Sequence, residues 1–222
     1  MFRIDPQNPF KGPHQGLDPA TAGTDPGEAE AAMILVHGRG ASAQSILMLA
    51  DELNEPQVHY VAPQASQFTW YPHSFLAPTE RNQPGLNSGL QAIHDLIEEL
   101  GERGLNREKI ILAGFSQGAC LASEFAARHP ARYGAVVALS GGLIGDAVSD
   151  ENYSGSMEGT PVFLGCSDID PHIPVERVYE TERVFRKLEA EVSRKIYPGM
   201  GHTVNEEELN HMKNLIQTVR SG

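Results

Sequence analysis

The chain has 222 residues, 40% of them apolar and 21% charged, and a formal net charge of −12 from 29 acidic against 17 basic residues. A chain of this length can bury one sizeable core, so a single domain over residues 1–222 is expected, and the 22 Gly and 15 Pro show no repeating period that would mark a repeat protein. The acidic excess argues against a nucleic-acid backbone or an anionic membrane surface as partner and leaves a small molecule or a protein surface.

Residues 1–30, rich in Pro, Gly, Asp and Ala, read as an irregular lead-in, with "MFRI" as a short edge strand. The opening "MFRIDPQNPFKGP" has no basic region followed by an apolar core, and no apolar run approaches the roughly 20 residues of a membrane span, so a soluble, unexported chain is expected. Regular alternation begins at Ala31. "AAMILVHG" is a continuous apolar run of buried-strand type, and "SAQSILMLADEL" after it reads as a helix with Ser42 as N-cap. "QVHYVAP" is a second strand, followed by a long loop over residues 64–84 that carries Trp70, Tyr71, Phe75 and Leu76. Leu86, Leu90, Ile93, Ile97 and Leu100 then mark one face of an amphipathic helix, which Gly101 and Gly104 end. "KIILAGF" is the next strand, Gln117 to Arg128 the next helix and Pro130 its stop. "YGAVVALSG", "TPVFLGC" and "VSRKIYPG" continue the strands, separated by a Gly-, Ser- and Asp-rich loop over residues 141–159 and a helix over about residues 175–190. "NEEELNHMKNLIQTVR" closes as a helix, with Asn205 and Glu208 spaced as a capping pair. Cys120 and Cys166 lie in apolar stretches without a CxxC pair, which predicts buried thiols in a reducing compartment, the cytoplasm. Apolar strands alternating with helices imply an α/β fold: a mostly parallel sheet covered on both faces, with working residues on loops at the C-terminal strand ends.

Ser116 stands at such an end, in "GFSQG" between Gly114 and Gly118. A nucleophile on a tight strand-to-helix turn is held in a strained backbone conformation that crowds the residues two positions away, and glycine relieves the crowding. The pentapeptide alone is weak evidence in a chain with 22 Gly; its position between strand and helix strengthens it. A serine hydroxyl needs a base, and the base needs an acid to orient it. Of nine histidines, His94 and His211 lie in helices, and His14, His59, His73 and His129 have no catalytic context. His202, in the glycine-containing "YPGMGHTVNEEE" between the last strand and last helix, is the candidate base. For the acid, "CSDIDPHIP" offers Asp168 and Asp170, with Asp146 and Asp150 as further candidates. Asp168, Asp170 and His172 match no common zinc or calcium spacing, so no metal is expected. The backbone N–H groups of Gln117 and of Arg39, in the glycine-rich "HGRGAS" turn, are the expected oxyanion donors. No long cap insertion is visible, and Trp70, Tyr71, Leu143, Ile144 and Ile173 are candidate walls of an open, shallow substrate site. An apolar strip near Trp70 is the candidate contact for a homodimer.

Together these segments resemble the phospholipase/carboxylesterase family of α/β-hydrolases, which includes bacterial carboxylesterases and acyl-protein thioesterases. "ILVHGRG" looks like the family's strand and oxyanion turn, "VAPQA" like its A-P-x-A segment, "TWYPHS" like its Trp-containing loop and "ILAGFSQGA" like its nucleophile elbow; "GMGHTV" is similar to its histidine loop. "DPHIP" resembles its D-x-x-V-P acid motif, which implies Asp170 rather than Asp168 as the acid. The resemblance implies an α/β-hydrolase fold without a large cap, no cofactor, and a serine carboxylesterase that cleaves small-molecule esters of short to medium acyl chains through an acyl-enzyme. Acyl-protein thioesterase or lysophospholipase-type activity is the alternative. A dienelactone-type hydrolase is disfavoured, because those usually employ a cysteine nucleophile. A non-catalytic small-molecule receptor is disfavoured by the presence of all three of Ser116, Asp170 and His202. Two departures stand out. Cys166 and Ser167 occupy positions where members often carry His-Gly, and Arg39 and Ala41 flank the oxyanion glycine where an apolar and an acidic residue are common.

Overall fold

The computed structural model describes residues 4, 5 and 7–222, so the expected "MFRI" strand rests largely on residues that lie outside it. The run Ala31–Val36 (β2) shows why its sequence carries no polar alternation. Ala32, Ile34 and Val36 enter one apolar cluster and Ala31, Met33 and Leu35 enter another, so both faces of the strand are buried. β2 lies inside a seven-stranded sheet with β1 (Ala20–Gly23), β3 (Val58–Ala62), β4 (Ile110–Phe115), β5 (Ala135–Leu139), β6 (Pro161–Ser167) and β7 (Glu191–Tyr197), in the order β1-β3-β2-β4-β5-β6-β7. β1 pairs antiparallel with β3, and every other pairing is parallel. β3 and β4 lie on opposite sides of β2, so the winding reverses there and leaves a crevice beyond the C-terminal ends of β2 and β4.

Helices α3 (Gly85–Glu102), α4 (Gln117–Arg128) and α5 (Val175–Lys187) bury one face of the sheet. The other face is covered by α1 (Ala43–Ile46), α2 (Met48–Leu53) and α6 (Glu206–Ser221). Ser42 caps α1 through Ser45 N–H, but the expected single helix is two short ones meeting at Leu47. α5 ends three residues earlier than expected, with Glu189 just beyond it in the left-handed region at φ 61°, where a helix cannot continue. Asn205 and Glu208 form the reciprocal capping box of α6. Among the described residues no helix is long and apolar enough to cross a membrane.

The lead-in is more regular than its composition suggests. Ala20–Gly23 is only four residues of small side chains, with Thr21 its one β-branched residue, too short a run to announce a strand, yet it pairs with the otherwise open edge of β3. Ahead of it, the Phe10 N–H donates to Gln91 Oε1, the His14 N–H to Ser88 Oγ and Gln15 Nε2 to the Ser88 carbonyl, tying the segment to α3.

Candidate active site

Ser116 sits in the turn between β4 and α4 with φ 56° and ψ −122°, a backbone region that costs a non-glycine residue about 1–3 kcal/mol. Its N–H donates to the Leu139 carbonyl at 2.9 Å, and its carbonyl accepts from Cys120 N–H at 3.0 Å. The flanking glycines have separate reasons. A Cβ on Gly114 would come within 2.5 Å of the Gly118 backbone, whereas a Cβ on Gly118 would come within 2.0 Å of the Val36 carbonyl oxygen at the end of β2. The elbow therefore closes against the neighbouring strand as well as against itself.

His202 and Asp170 reach Ser116 from the ends of β7 and β6. His202 Nε2 lies 2.9 Å from Ser116 Oγ, and His202 Nδ1 lies 2.7 Å from Asp170 Oδ2. Asp170 Oδ1 also accepts the N–H groups of His172 at 2.8 Å and Ile173 at 3.1 Å. Burial works to raise the Asp170 pKa, but the His202 hydrogen bond and the two backbone donors outweigh it and hold the carboxyl below its ordinary range. The imidazole is packed between the rings of Phe115 and His172, each 4.8 Å away centroid to centroid. Asp168 is turned elsewhere: its Oδ1 accepts from Gly199 N–H at 2.8 Å and so tethers the loop that carries His202. Asp150 pairs with Arg183 on α5, and Asp146 is exposed. Among the described residues no group of acidic, His or Cys side chains is arranged to hold a metal ion.

The HGRG turn follows β2 directly and passes over the serine, since a Cβ on Gly38 would sit 3.4 Å from Ser116 Cβ. Among the described residues neither Arg39 N–H nor Gln117 N–H donates to another group of the protein, which leaves two backbone donors beside the serine for an oxyanion. The turn is shaped by His37, which is fully buried. Its Nε2 accepts from Ala65 N–H at 3.1 Å, so Nδ1–H donates to the Gly38 carbonyl at 2.8 Å, and burial lowers its pKa.

The side chains of Arg39 and Gln117 both hold the Trp-containing loop. Gln117 Oε1 accepts from Trp70 N–H at 3.0 Å and Gln117 Nε2 donates to the Tyr71 carbonyl at 2.9 Å. The Arg39 guanidinium donates to Thr69 Oγ1 and to the carbonyls of Tyr71, Pro72 and His73 at 2.7–3.1 Å. Trp70 itself is 0% exposed: Nε1–H donates to the His37 carbonyl at 2.9 Å, and the Trp70 carbonyl accepts from His14 of the lead-in at 2.9 Å. It is a strut rather than a wall.

A cavity of about 550 Å³ opens over Ser116. Tyr71 and Ile173 line it as expected, with Phe75, Phe115 and Cys120 beside them and Arg39, His73 and His172 at its exposed rim. Trp70, Leu143 and Ile144 do not reach it. Leu143 and Ile144 are drawn into the core, because Thr181 Oγ1 and Glu124 Oε2 accept their N–H groups and Arg177 binds the Leu143 carbonyl. With Trp70 buried, it contributes nothing to an apolar surface strip. Phe115 and His172 adjoin residues already singled out in the sequence, whereas the buried roles of His14 and His37 depend on contacts with distant loops that carry no local signal.

A mostly parallel sheet that reverses at β2, with a serine elbow after β4, defines an α/β-hydrolase. Comparison with known proteins agrees. Residues 23–220 match the phospholipase/carboxylesterase family. Acyl-protein thioesterase 1 of Kluyveromyces lactis is 30% identical over 209 residues, covering 85% of this chain and 90% of that protein, and the Saccharomyces cerevisiae protein of the same name is 27% identical over 170 residues, 74% of each chain. A phospholipase/carboxylesterase structure from Dyadobacter fermentans superposes with a TM-score of 0.86 at 39% identity, covering 90% of this chain and 95% of that one. The chain belongs to the phospholipase/carboxylesterase family. It is an ester hydrolase.

Proposed function

We propose that this protein is a serine carboxylesterase that hydrolyses carboxylic esters of short to medium acyl chains through an acyl-enzyme. The observation that carries the reading is the unbroken chain Asp170–His202–Ser116, at 2.7 and 2.9 Å, opening on a cavity of about 550 Å³. His202 Nε2 takes the Ser116 proton as Oγ attacks the ester carbonyl, and the N–H groups of Arg39 and Gln117 receive the developing oxyanion. Collapse returns that proton from His202 to the leaving alcohol. Water, deprotonated by the same imidazole, then attacks the acyl-serine and regenerates the hydroxyl. Asp170 fixes the tautomer of His202 and stabilises its charge in both halves. Tyr71, Phe75 and Ile173 provide the apolar wall for the acyl chain, in a space suited to a few carbons. The whole described chain acts as one domain, and the buried free thiols of Cys120 and Cys166 suit a cytoplasmic setting.

Sequence similarity to proteins named acyl-protein thioesterase supports a second reading, cleavage of thioesters by the same steps. The test is hydrolysis of p-nitrophenyl acetate, butyrate and octanoate and of a matched thioester, with fluorophosphonate labelling of wild type and Ser116→Ala. The variant is expected to lose labelling and at least about 10³-fold in kcat. Equal product release by both proteins, with neither labelled, overturns the esterase reading, and a thioester rate well above the matched ester favours the second.

A further inference from the structure

The chain is strongly acidic, yet the cavity over Ser116 has no Asp or Glu among its lining residues. Asp170, the nearest carboxylate by bonding, is shielded behind His202 with a side chain 0% exposed. Burial pushes up the pKa of the two acidic groups in the lining, the Tyr71 hydroxyl and the Cys120 thiol, which keeps them neutral, and the other ionisable side chains there are one guanidinium, Arg39, and three imidazoles, His73, His172 and His202. All four acceptors of Arg39 are neutral, and among the described residues no carboxylate lies within ion-pair distance of it. Hydrogen bonds to carbonyls fix the position of a guanidinium without cancelling its charge. The N-terminus of α4 points its positive end into the same space. The fixed charge lining the cavity is thus positive, in a chain whose formal net charge is −12. The polarity is also divided: Tyr71, Phe75 and Ile173 are buried apolar walls, and Arg39, His73 and His172 are exposed at the mouth.

We propose that the preferred substrate is an ester or thioester whose alcohol or thiol arm carries an anion, a carboxylate or a phosphate, held at the mouth by Arg39 with His73 and His172 while the acyl arm lies against the apolar wall. This rests on the esterase reading and adds the charge of the substrate to it. The reaction is ordinary hydrolysis: water's oxygen ends on the acyl carbon as a carboxylate, the C–O or C–S bond breaks, and the anionic alcohol or thiol leaves with a proton. Arg39 contributes twice, its N–H toward the oxyanion and its side-chain charge toward the leaving arm.

The test compares butyrate release from carboxymethyl butyrate and from its neutral, equally sized partner carbamoylmethyl butyrate, with 2-butyryloxyethyl phosphate as a third substrate. At low ionic strength the carboxylate or the phosphate ester is expected to exceed the neutral one in kcat/KM by about tenfold or more, and the excess to shrink several-fold at about 0.5 M salt, where screening acts within roughly 4 Å. Whichever anion gives the larger excess identifies the headgroup. In Arg39→Gln and Arg39→Lys the readout is the anionic-to-neutral ratio rather than the rate, expected to collapse in the first and persist in part in the second. Ready hydrolysis of the neutral ester with a ratio near one at both salt concentrations overturns the proposal and leaves the esterase intact. No release from any of the three, with no fluorophosphonate labelling, overturns the esterase reading itself. The salt series uses wild type alone, so it decides the matter even if a variant fails to fold.

Discussion

Ser116 is held at a backbone geometry that only its surroundings make tenable, and those surroundings are largely two glycines. Gly118→Ala would drive a Cβ to 2.0 Å from the Val36 carbonyl, and backbone cannot step aside as a side chain can. We expect it to cost about 3 kcal/mol or more, read as the loss of urea midpoint against wild type. Asp170→Asn is a cleaner chemical test. The asparagine can keep the two backbone N–H bonds yet supports the wrong imidazole tautomer, so kcat is expected to fall by roughly 10⁴-fold with little change in unfolding midpoint. A midpoint falling in parallel would instead make Asp170 chiefly a structural anchor. The glycine pair was legible before any fold was known, because the pattern GxSxG at a strand end is local. That Gly118 answers to Val36, some eighty residues away, was not, since no neighbouring residue reports how closely β2 approaches. Leu143 and Ile144 illustrate the same boundary. Their apolar character suits a pocket wall or a core equally, and the deciding partners, Glu124 on α4 and Arg177 and Thr181 on α5, are distant in sequence.

Elements were legible where their hydrophobic period was unambiguous: the buried strands, α3, α4 and the capped α6. The short β1 escaped because pairing with β3, rather than any propensity of ATAG, makes it a strand. The N-terminus of α6 carries a pH dependence of its own. Glu208 is 0% exposed; one of its oxygens accepts from Asn205 N–H, and the other has no partner. Burial pushes its pKa up to about 7 from the ordinary 4.5. Between those values the folded protein holds a proton that the unfolded chain has released, so this group's contribution is full below about pH 4.5 and is lost as pH rises through 7. Asp170 has the opposite sign: with its pKa depressed, its contribution is present above the ordinary carboxyl range and is lost as pH falls through the folded value. Glu208→Gln is therefore expected to flatten the decline of unfolding free energy between pH 4.5 and 7, measured by chemical denaturation at several pH values. An unchanged slope would remove Glu208 as its source.

At the scale of the whole molecule, one buried residue ties together segments that the sequence shows only as separate. Trp70 is the sole tryptophan; it is fully buried, joined to the lead-in through His14, to the oxyanion turn through His37 and to the elbow through Gln117. Its fluorescence therefore reports on the packing of all three. His14→Ala is expected to red-shift the emission and to lower Tm by about 2–4 °C for each kcal/mol lost, whereas an unshifted spectrum would mean that the lead-in does not cover the ring. The same joinery bears on redesign. The side chains of Arg39 and Gln117 hold the loop over residues 69–73, and in the proposed reaction their backbone N–H groups also receive the oxyanion. Under that proposal substrate range and turnover hang on one pair of hinges. A library that lengthens or reshapes residues 69–73 to admit bulkier acyl groups will disturb the donors above the serine unless positions 39 and 117 are varied with it, and selection for a new acyl group should recover changes at the three sites together.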